Sequence, residues 1–238
     1  MTVPDLSKSP ARIAGMFDAI AERYDFLNHL LSAGTDRRWR RVAIASLGLT
    51  GRERVLDLCT GTADLAMAAR RARAGAARVV GVDFAAAMLR VGNGKLRRAG
   101  MAQHVTLVRG DAARVPVATG AVDAVTIAFG IRNVEQTAAA CAEMHRVLAP
   151  GGRLAVLEFA IPSTPIVRAG YLWYFNHVLP RIGRLVARHE AYGYLPASVG
   201  AFQTPDEFVK LLRHSGFVDV QARPLTLGIV YLYTGRHP

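Results

Sequence analysis

Arg54-Val55-Leu56-Asp57-Leu58-Cys59-Thr60-Gly61-Thr62-Ala63-Asp64 is the stretch whose reading decides the fold. It opens as a short apolar run broken by one carboxylate, the pattern of a buried strand. Thr60-Gly61-Thr62 then turns the chain into an Ala-rich helical segment. Arg78-Val79-Val80-Gly81-Val82-Asp83 repeats the unit, with a helix through about Ala99. Residues 105–108, 124–128 and 154–159 read as the third, fourth and fifth strands. A helix over 135–148, closed by Pro150-Gly151-Gly152, precedes the last of these. Strands alternating with helices predict a doubly wound, mostly parallel α/β sheet covered on both faces.

Outward from this core (residues 51–160), residues 11–33 place Ile13, Phe17, Ile20, Tyr24, Leu27 and Leu31 at spacings of three and four. That spacing predicts an amphipathic helical segment with a break near Asp25. A second helix is expected from Asp36, as N-cap, through Leu47, with Gly48 as its stop. Together they form an N-terminal helical cap over 11–50. Residues 161–203 interrupt the alternation with a long basic and aromatic insertion. Residues 204–238 supply a last helix, over 205–214, and two strands near 217–222 and 227–233, with Pro224 and Thr226 between them. These two strands suit an edge hairpin and bring the sheet to seven strands. The whole chain reads as one domain.

At 238 residues, 51% hydrophobic and 20% charged, the chain is globular and not disordered. No apolar run approaches the roughly 18 residues that span a bilayer. The first ten residues read as a frayed tail, and no secretory signal is expected. Cys59 and Cys141 have no metal-ligand spacing and read as reduced thiols of a cytoplasmic protein. None of the seven histidines forms a metal set. The net charge of +12, beside a mean hydropathy of +0.19, favours anionic partners unless it is simply a solvated surface.

In an open α/β sheet the ligand sits beyond the carboxyl ends of the strands. The first strand delivers Asp57 and the Thr60-Gly61-Thr62 turn there, and the following helix offers free N–H groups. The second strand delivers Asp83, whose carboxylate can accept two ribose hydroxyls, or else caps the next helix. The third delivers Gly110-Asp111-Ala112, within reach of an adenine amino group. A dinucleotide fold would carry G-x-G-x-x-G, which is absent. An Asp-centred loop suits the cationic sulfonium and amino group of S-adenosylmethionine better than a pyrophosphate.

With these residues in view, the chain resembles the ubiquinone/menaquinone biosynthesis C-methyltransferases from about Phe17 onward. The resemblance rests on Tyr24-Asp25-Phe26-Leu27-Asn28, Leu31-Ser32, Trp39, Phe129-Gly130-Ile131-Arg132-Asn133-Val134, Arg146-Val147-Leu148, Pro150-Gly151-Gly152-Arg153 and Leu157-Glu158-Phe159. Val178-Leu179-Pro180-Arg181-Ile182-Gly183, Tyr194-Leu195 and Ser198-Val199 also match. It implies the class I S-adenosylmethionine-dependent methyltransferase fold, with Thr62, Asp83, Asp111 and Ala112 at the cofactor. Four positions depart from the family pattern. Asp36 stands where the family usually has His, Ala128 where many members have a cofactor-contacting Ser, Ala149 for Lys and Ala160 for Ser.

The implied reaction is methylation of a ring carbon of a prenylated quinol, with demethylmenaquinol preferred over a polyprenyl-benzoquinol because the Cys59-to-Asp64 loop looks more like the menaquinone branch. Such a reaction needs a positioned ring and a favoured phenolate. Arg132 is expected to stabilise charge on the quinol oxygen and Asn133 to orient it; a structural salt bridge is the alternative for Arg132. Tyr24 and Asp25 are candidates for closing over the quinol, a packed helix face being the alternative for Tyr24. In the insertion, Tyr171, Trp173, Tyr174 and Phe175 suit an isoprenoid tail, and Arg181, Arg184 and Arg188 suit anionic headgroups, which implies transient contact with the inner face of the cell membrane. An aromatic helix packed on the sheet is the alternative. A homodimer is left open. An RNA methyltransferase is a rival on charge alone, but Asn/Asp-Pro-Pro-Tyr and Pro-Cys motifs are absent and no nucleic acid is expected. Other lipid-like acceptors and a catalytically silent scaffold are the remaining rivals.

Overall fold

The computed structural model describes residues 8–178 and 190–238. Seven strands form one sheet in the order β3-β2-β1-β4-β5-β7-β6. They are β1 (Arg54–Leu58), β2 (Arg78–Asp83), β3 (Val105–Arg109), β4 (Val122–Ala128), β5 (Leu148–Phe159), β6 (Val218–Leu225) and β7 (Val230–Arg236). The first five are parallel. β7 runs antiparallel between β5 and β6, from Arg153 opposite Arg236 to Phe159 opposite Val230. The last two strands form the edge hairpin that the sequence predicts, with β6 outermost. Pro224 lies within β6, where an edge strand tolerates a residue with no N–H to donate.

Alternation along each strand sorts the side chains between two cores. Leu56, Leu58, Val125, Ile127, Leu154 and Val156 pack on one face against Met144 and Val147 of α6 (Thr137–Val147) and Phe208 and Leu212 of α9 (Pro205–His214). On the other face Val55, Val79, Ala124 and Leu157 pack against α3 (Asp36–Ser46) and α4 (Asp64–Arg71). Thr204 and Glu207 close a reciprocal capping box at the start of α9.

The cap consists of α1 (Pro10–Asp18), α2 (Tyr24–Leu31) and α3. The predicted break near Asp25 falls slightly earlier, between Asp18 and Tyr24; Asp18, the last residue of α1, accepts the Ala87 N–H at 2.7 Å, at the start of α5 (Ala86–Arg98). Asp36 is not the N-cap of α3; Thr35 holds that position and Asp36 is buried. In the insertion, α7 (Pro165–Trp173) continues into one π-helical turn, and α8 (Glu190–Gly200) returns towards the sheet. Arg181, Arg184 and Arg188 lie outside the described residues, as does most of the segment from Val178 to Gly183.

Candidate active site

At the carboxyl ends of β1 and β4 the backbone departs from ordinary geometry. Cys59, Ala63 and Phe129, none of them glycine, have φ of +50°, +69° and +59°. Such conformations persist only where the surroundings enforce them, and they concentrate at functional sites. Gly130 enforces one: a Cβ there would lie 2.3 Å from that of Cys59, so the two loops can meet only through a glycine. Gly61, at φ +55°, gives the first loop its turn.

These loops bound a cleft in two lobes. One is lined by Gly61, Asp83, Phe84, Ala128, Phe129 and Asn133, the other by Phe84, Asp111, Ala112 and Asn133. Asp83 accepts the N–H of Gly61 and of Ala85, both at 2.8 Å, so it orders the first loop and the start of α5 together. A carboxylate offers about four acceptor positions, and those two bonds leave the others for a ligand. Burial raises its pKa. Asp111 accepts the Ala113 N–H at 2.9 Å at the cleft edge. Asp57 lies beneath the loop, taking hydrogen bonds from Thr60 (2.6 Å) and Thr126 (2.8 Å), and burial pushes its pKa up to about 6. Cys59 also faces the cleft, its thiol pKa pushed far up by burial and by Asp83, so it is no nucleophile. Thr62 is placed differently. Its hydroxyl donates to Asp25 on α2, inside an ion cluster with Lys95 and Asp64.

A second, larger cavity of about 270 Å³ adjoins the cleft. Its wall is mostly aromatic and aliphatic: Trp39, Phe129, Phe159, Tyr171, Leu27 and Ile229 are representative. Trp39, Phe129 and Phe159 pack as one aromatic group, with Phe129 stacked on Phe159 at 4.6 Å. Phe17, Tyr24 and Phe129 line both spaces and so mark their junction. The Tyr24 ring lies about 4.0 Å from where a Cβ on Gly61 would be, directly over the first loop. Its hydroxyl is held protonated by burial.

Arg132 and Asn133, neighbours in a 3-10 turn after β4, face opposite ways. Arg132 lines the apolar cavity, where its Nη1 donates to Glu158 at 2.7 Å and to the Phe129 carbonyl at 2.6 Å. Asn133 lines both lobes of the cleft instead, its Oδ1 accepting the Tyr194 hydroxyl at 3.1 Å. Arg132 is therefore in a buried ion pair as well as in the cavity wall. Sequence reasoning missed its partner, although a carboxylate inside the apolar run 154–159 was the available signal.

A chain of charged groups ties the cap to the core. His29 and Arg40 both meet Asp36, Arg40 reaches Asp64 at 3.8 Å, and Lys95 bridges Asp64 and Asp25. Burial acts to raise the Asp36 pKa, but Arg40 and hydrogen bonds from His29 and Ser32 outweigh it and hold the carboxyl below its ordinary value. Outside this chain lies an open groove between α3 and α4 lined by Arg37, Arg41, Arg71 and Arg73.

The profile of the ubiE/COQ5 methyltransferase family matches residues 6–237, nearly the whole chain. The chain belongs to that family. Ubiquinone/menaquinone biosynthesis C-methyltransferase UbiE of Syntrophotalea carbinolica is 49% identical over 92% of each chain. Demethylmenaquinone methyltransferase of Thermus thermophilus is 45% identical over 94% of this chain and 100% of its own. Among solved structures, the cyclase SpnF superposes at a TM-score of 0.70 with 16% identity, covering 100% of this chain and 99% of its own. A SAM-dependent methyltransferase from Aquifex aeolicus does so at 0.59 with 15% identity, covering 84% and 89%. These last two speak for the fold alone, the class I methyltransferase fold.

This methyltransferase uses S-adenosylmethionine, and the cleft fits that group. The lobes are lined by Asp83, Asp111 and Glu135, with Lys8 the one basic residue among the described lining residues. That balance suits a cationic ligand carrying ribose hydroxyls and disfavours a pyrophosphate.

Proposed function

We propose that this enzyme methylates a ring carbon of demethylmenaquinol, forming menaquinol. The observation that carries the reading is the junction at Phe17, Tyr24 and Phe129, where an acidic nucleoside cleft meets an aromatic cavity containing a buried arginine. The relatives named demethylmenaquinone methyltransferase in Thermus thermophilus and Deinococcus radiodurans, 45% and 43% identical, support the naphthoquinol over a benzoquinol.

Asp83 and Asp111, with the backbone of Gly61 and Ala112, would hold the ribose and adenine; Asp57 sits beneath the loop that would receive the methionine end, and Ala128 leaves room there. Thr62 acts by securing the first loop to Asp25 and Lys95. When bound, S-adenosylmethionine supplies a methyl group that is electrophilic because it sits on a sulfonium. The chain's part is to hold the ring carbon in line with that methyl and to favour the ring phenolate, which is far more nucleophilic than the phenol. Arg132 lies on the cavity wall as a fixed cation that lowers the cost of charge on the ring oxygen. Glu158 fixes its direction. Tyr24 and Phe129 exclude water at the junction, and Asn133, anchored by Tyr194, shapes the cleft side.

An isoprenoid tail cannot fit in about 270 Å³ beside the ring, so it leaves through the cavity mouth. No helix among the described residues is long and apolar enough to cross a membrane. Exposed Phe26 and Leu30 on α2, and Ile166 and Trp173 on α7, suit docking against a bilayer, with arginines on anionic headgroups. Sedimentation with anionic vesicles should carry the protein down at low salt and release it at high salt; no binding at low salt would refute the docking. The function itself is tested by giving the protein labelled S-adenosylmethionine with demethylmenaquinol and, separately, a demethylated polyprenyl-benzoquinol. Label in the naphthoquinol product is expected; label in neither refutes the reading.

A further inference from the structure

The cavity wall holds one carboxylate that the cofactor and the Arg132 pair do not use. Asp36 is 2% exposed and lines the aromatic cavity, while its neighbour His29 lines the arginine groove outside. The pair thus spans the partition between the two spaces. His29 Nδ1 lies 2.8 Å from Asp36 Oδ2, and Ser32 donates to Oδ1 at 3.0 Å, which leaves acceptor capacity on Oδ1. Arg40, bound to the same carboxylate, sits 6.0 Å from the centre of the Phe129 ring. Phe129 borders the cofactor cleft, so Asp36 belongs to the reacting end of the cavity.

Resting on the quinol reading above, we propose that Asp36, backed by His29, accepts the proton of the quinol ring hydroxyl and passes it to water in the arginine groove. The ring O–H breaks as an O–H forms on Asp36 Oδ1, and the electron pair left on the ring oxygen feeds the ring carbon that takes the methyl. His29 then takes the proton from the carboxyl, and its imidazolium, 29% exposed, releases one to the groove. Asp36 held below its ordinary pKa is ionised and ready at neutral pH. Arg40 keeps it so without supplying a base of its own.

Arg40 and Asp64 stand directly behind the pair, and Arg37, Arg41, Arg71 and Arg73 surround the outlet. Across the cavity stand Arg132, Tyr24, Tyr171, Tyr174 and Tyr194. The arginines stay charged and the tyrosines, raised by burial, stay protonated through the neutral range. A relay accepts the quinol proton only while it is itself unprotonated, so turnover should rise with pH until it is.

The test is kcat against pH for the unmodified enzyme, Asp36→Asn and His29→Gln, with cofactor affinity measured alongside. Asp36→Asn should lower kcat about a hundredfold and remove the rising limb, with S-adenosylmethionine affinity unchanged. His29→Gln keeps the Asp36–Arg40 pair and guards against a folding artefact; it should lower kcat about tenfold and also flatten the limb. If folded Asp36→Asn stays within about threefold of the unmodified kcat, or both variants keep the limb, the cluster is structural and the proposal fails. If the unmodified protein methylates neither quinol, the acceptor reading fails and this proposal falls with it. If it methylates one and Asp36→Asn does so equally well, only this proposal falls.

Discussion

Replacing Asp83 by Ala removes two interactions that serve the fold and the acceptor sites that would serve the cofactor. In the free protein the Gly61 and Ala85 N–H groups, each 2.8 Å from the carboxylate, lose a charged acceptor. Water can enter the space of the missing carboxyl and recover part of that loss, so stability should fall by about 1–3 kcal/mol. For a 238-residue chain that is about 2–12 °C in Tm. Binding loses more specifically, because two charge-assisted ribose contacts vanish and the loop that carries Gly61 is no longer pinned. Two such bonds amount to about 2–3 kcal/mol, or a 30- to 150-fold rise in Kd for S-adenosylmethionine. Calorimetry at a temperature where the variant remains folded, checked by circular dichroism, reads this directly. An unchanged Kd in the folded variant would refute the placement of the ribose at Asp83 and leave the carboxylate as a cap alone.

Arg132→Ala should cut turnover on the order of a hundredfold while S-adenosylmethionine affinity holds. The same change strips fully buried Glu158 of its ion partner, so Tm should drop by roughly 6–20 °C; weakened cofactor binding at normal turnover would move Arg132 to the cleft. Asp57→Asn tests the buried loop carboxyl by pH. Its pKa, raised by burial from 3.8 to about 6, means the folded chain holds a proton that the unfolded chain has released. Stability should therefore fall as pH rises from about 4 to 6 and stay lower above that, by roughly 3 kcal/mol. Asn cannot ionise, so denaturation series should show that decline abolished and the variant no less stable at pH 7.

The alternation of strand and helix was legible because the central strands β1 and β4 are largely buried and read as short, mostly apolar runs set between helical segments. That Gly61, Asp83 and Asp111 border one cleft was legible too, since the fold gathers the carboxyl ends of its strands there whatever the chemistry. What stayed hidden depended on partners far apart in the chain. Lys95 looks like an ordinary helix-surface lysine until α2 brings Asp25 to it from 70 positions away. Thr62 reads as a ligand contact, and nothing in its own segment shows that Asp25 takes its hydroxyl. Arg132 and Asn133 are adjacent in sequence, yet a single 3-10 turn sends one to the cavity and the other to the cleft. Pro224 reads in the sequence as a turn residue, because the edge position that tolerates it follows from where β7 inserts.

That insertion has a consequence for how the molecule is made. β5 is the longest strand of the sheet, and one side of it, from Arg153 to Phe159, pairs with residues 230–236. A ribosome delivers β5 some seventy residues before it delivers its neighbour. At about 5–20 residues per second, the strand waits several seconds with a row of unpaired amides and carbonyls beside Val156 and Leu157. During that interval the nascent chain holds four of its parallel pairings and a sticky border. Any chain that stalls or is truncated before Val230 keeps that border permanently. Such products should aggregate rather than persist as smaller enzymes, and the quality of a preparation should depend on synthesis running through the last strand.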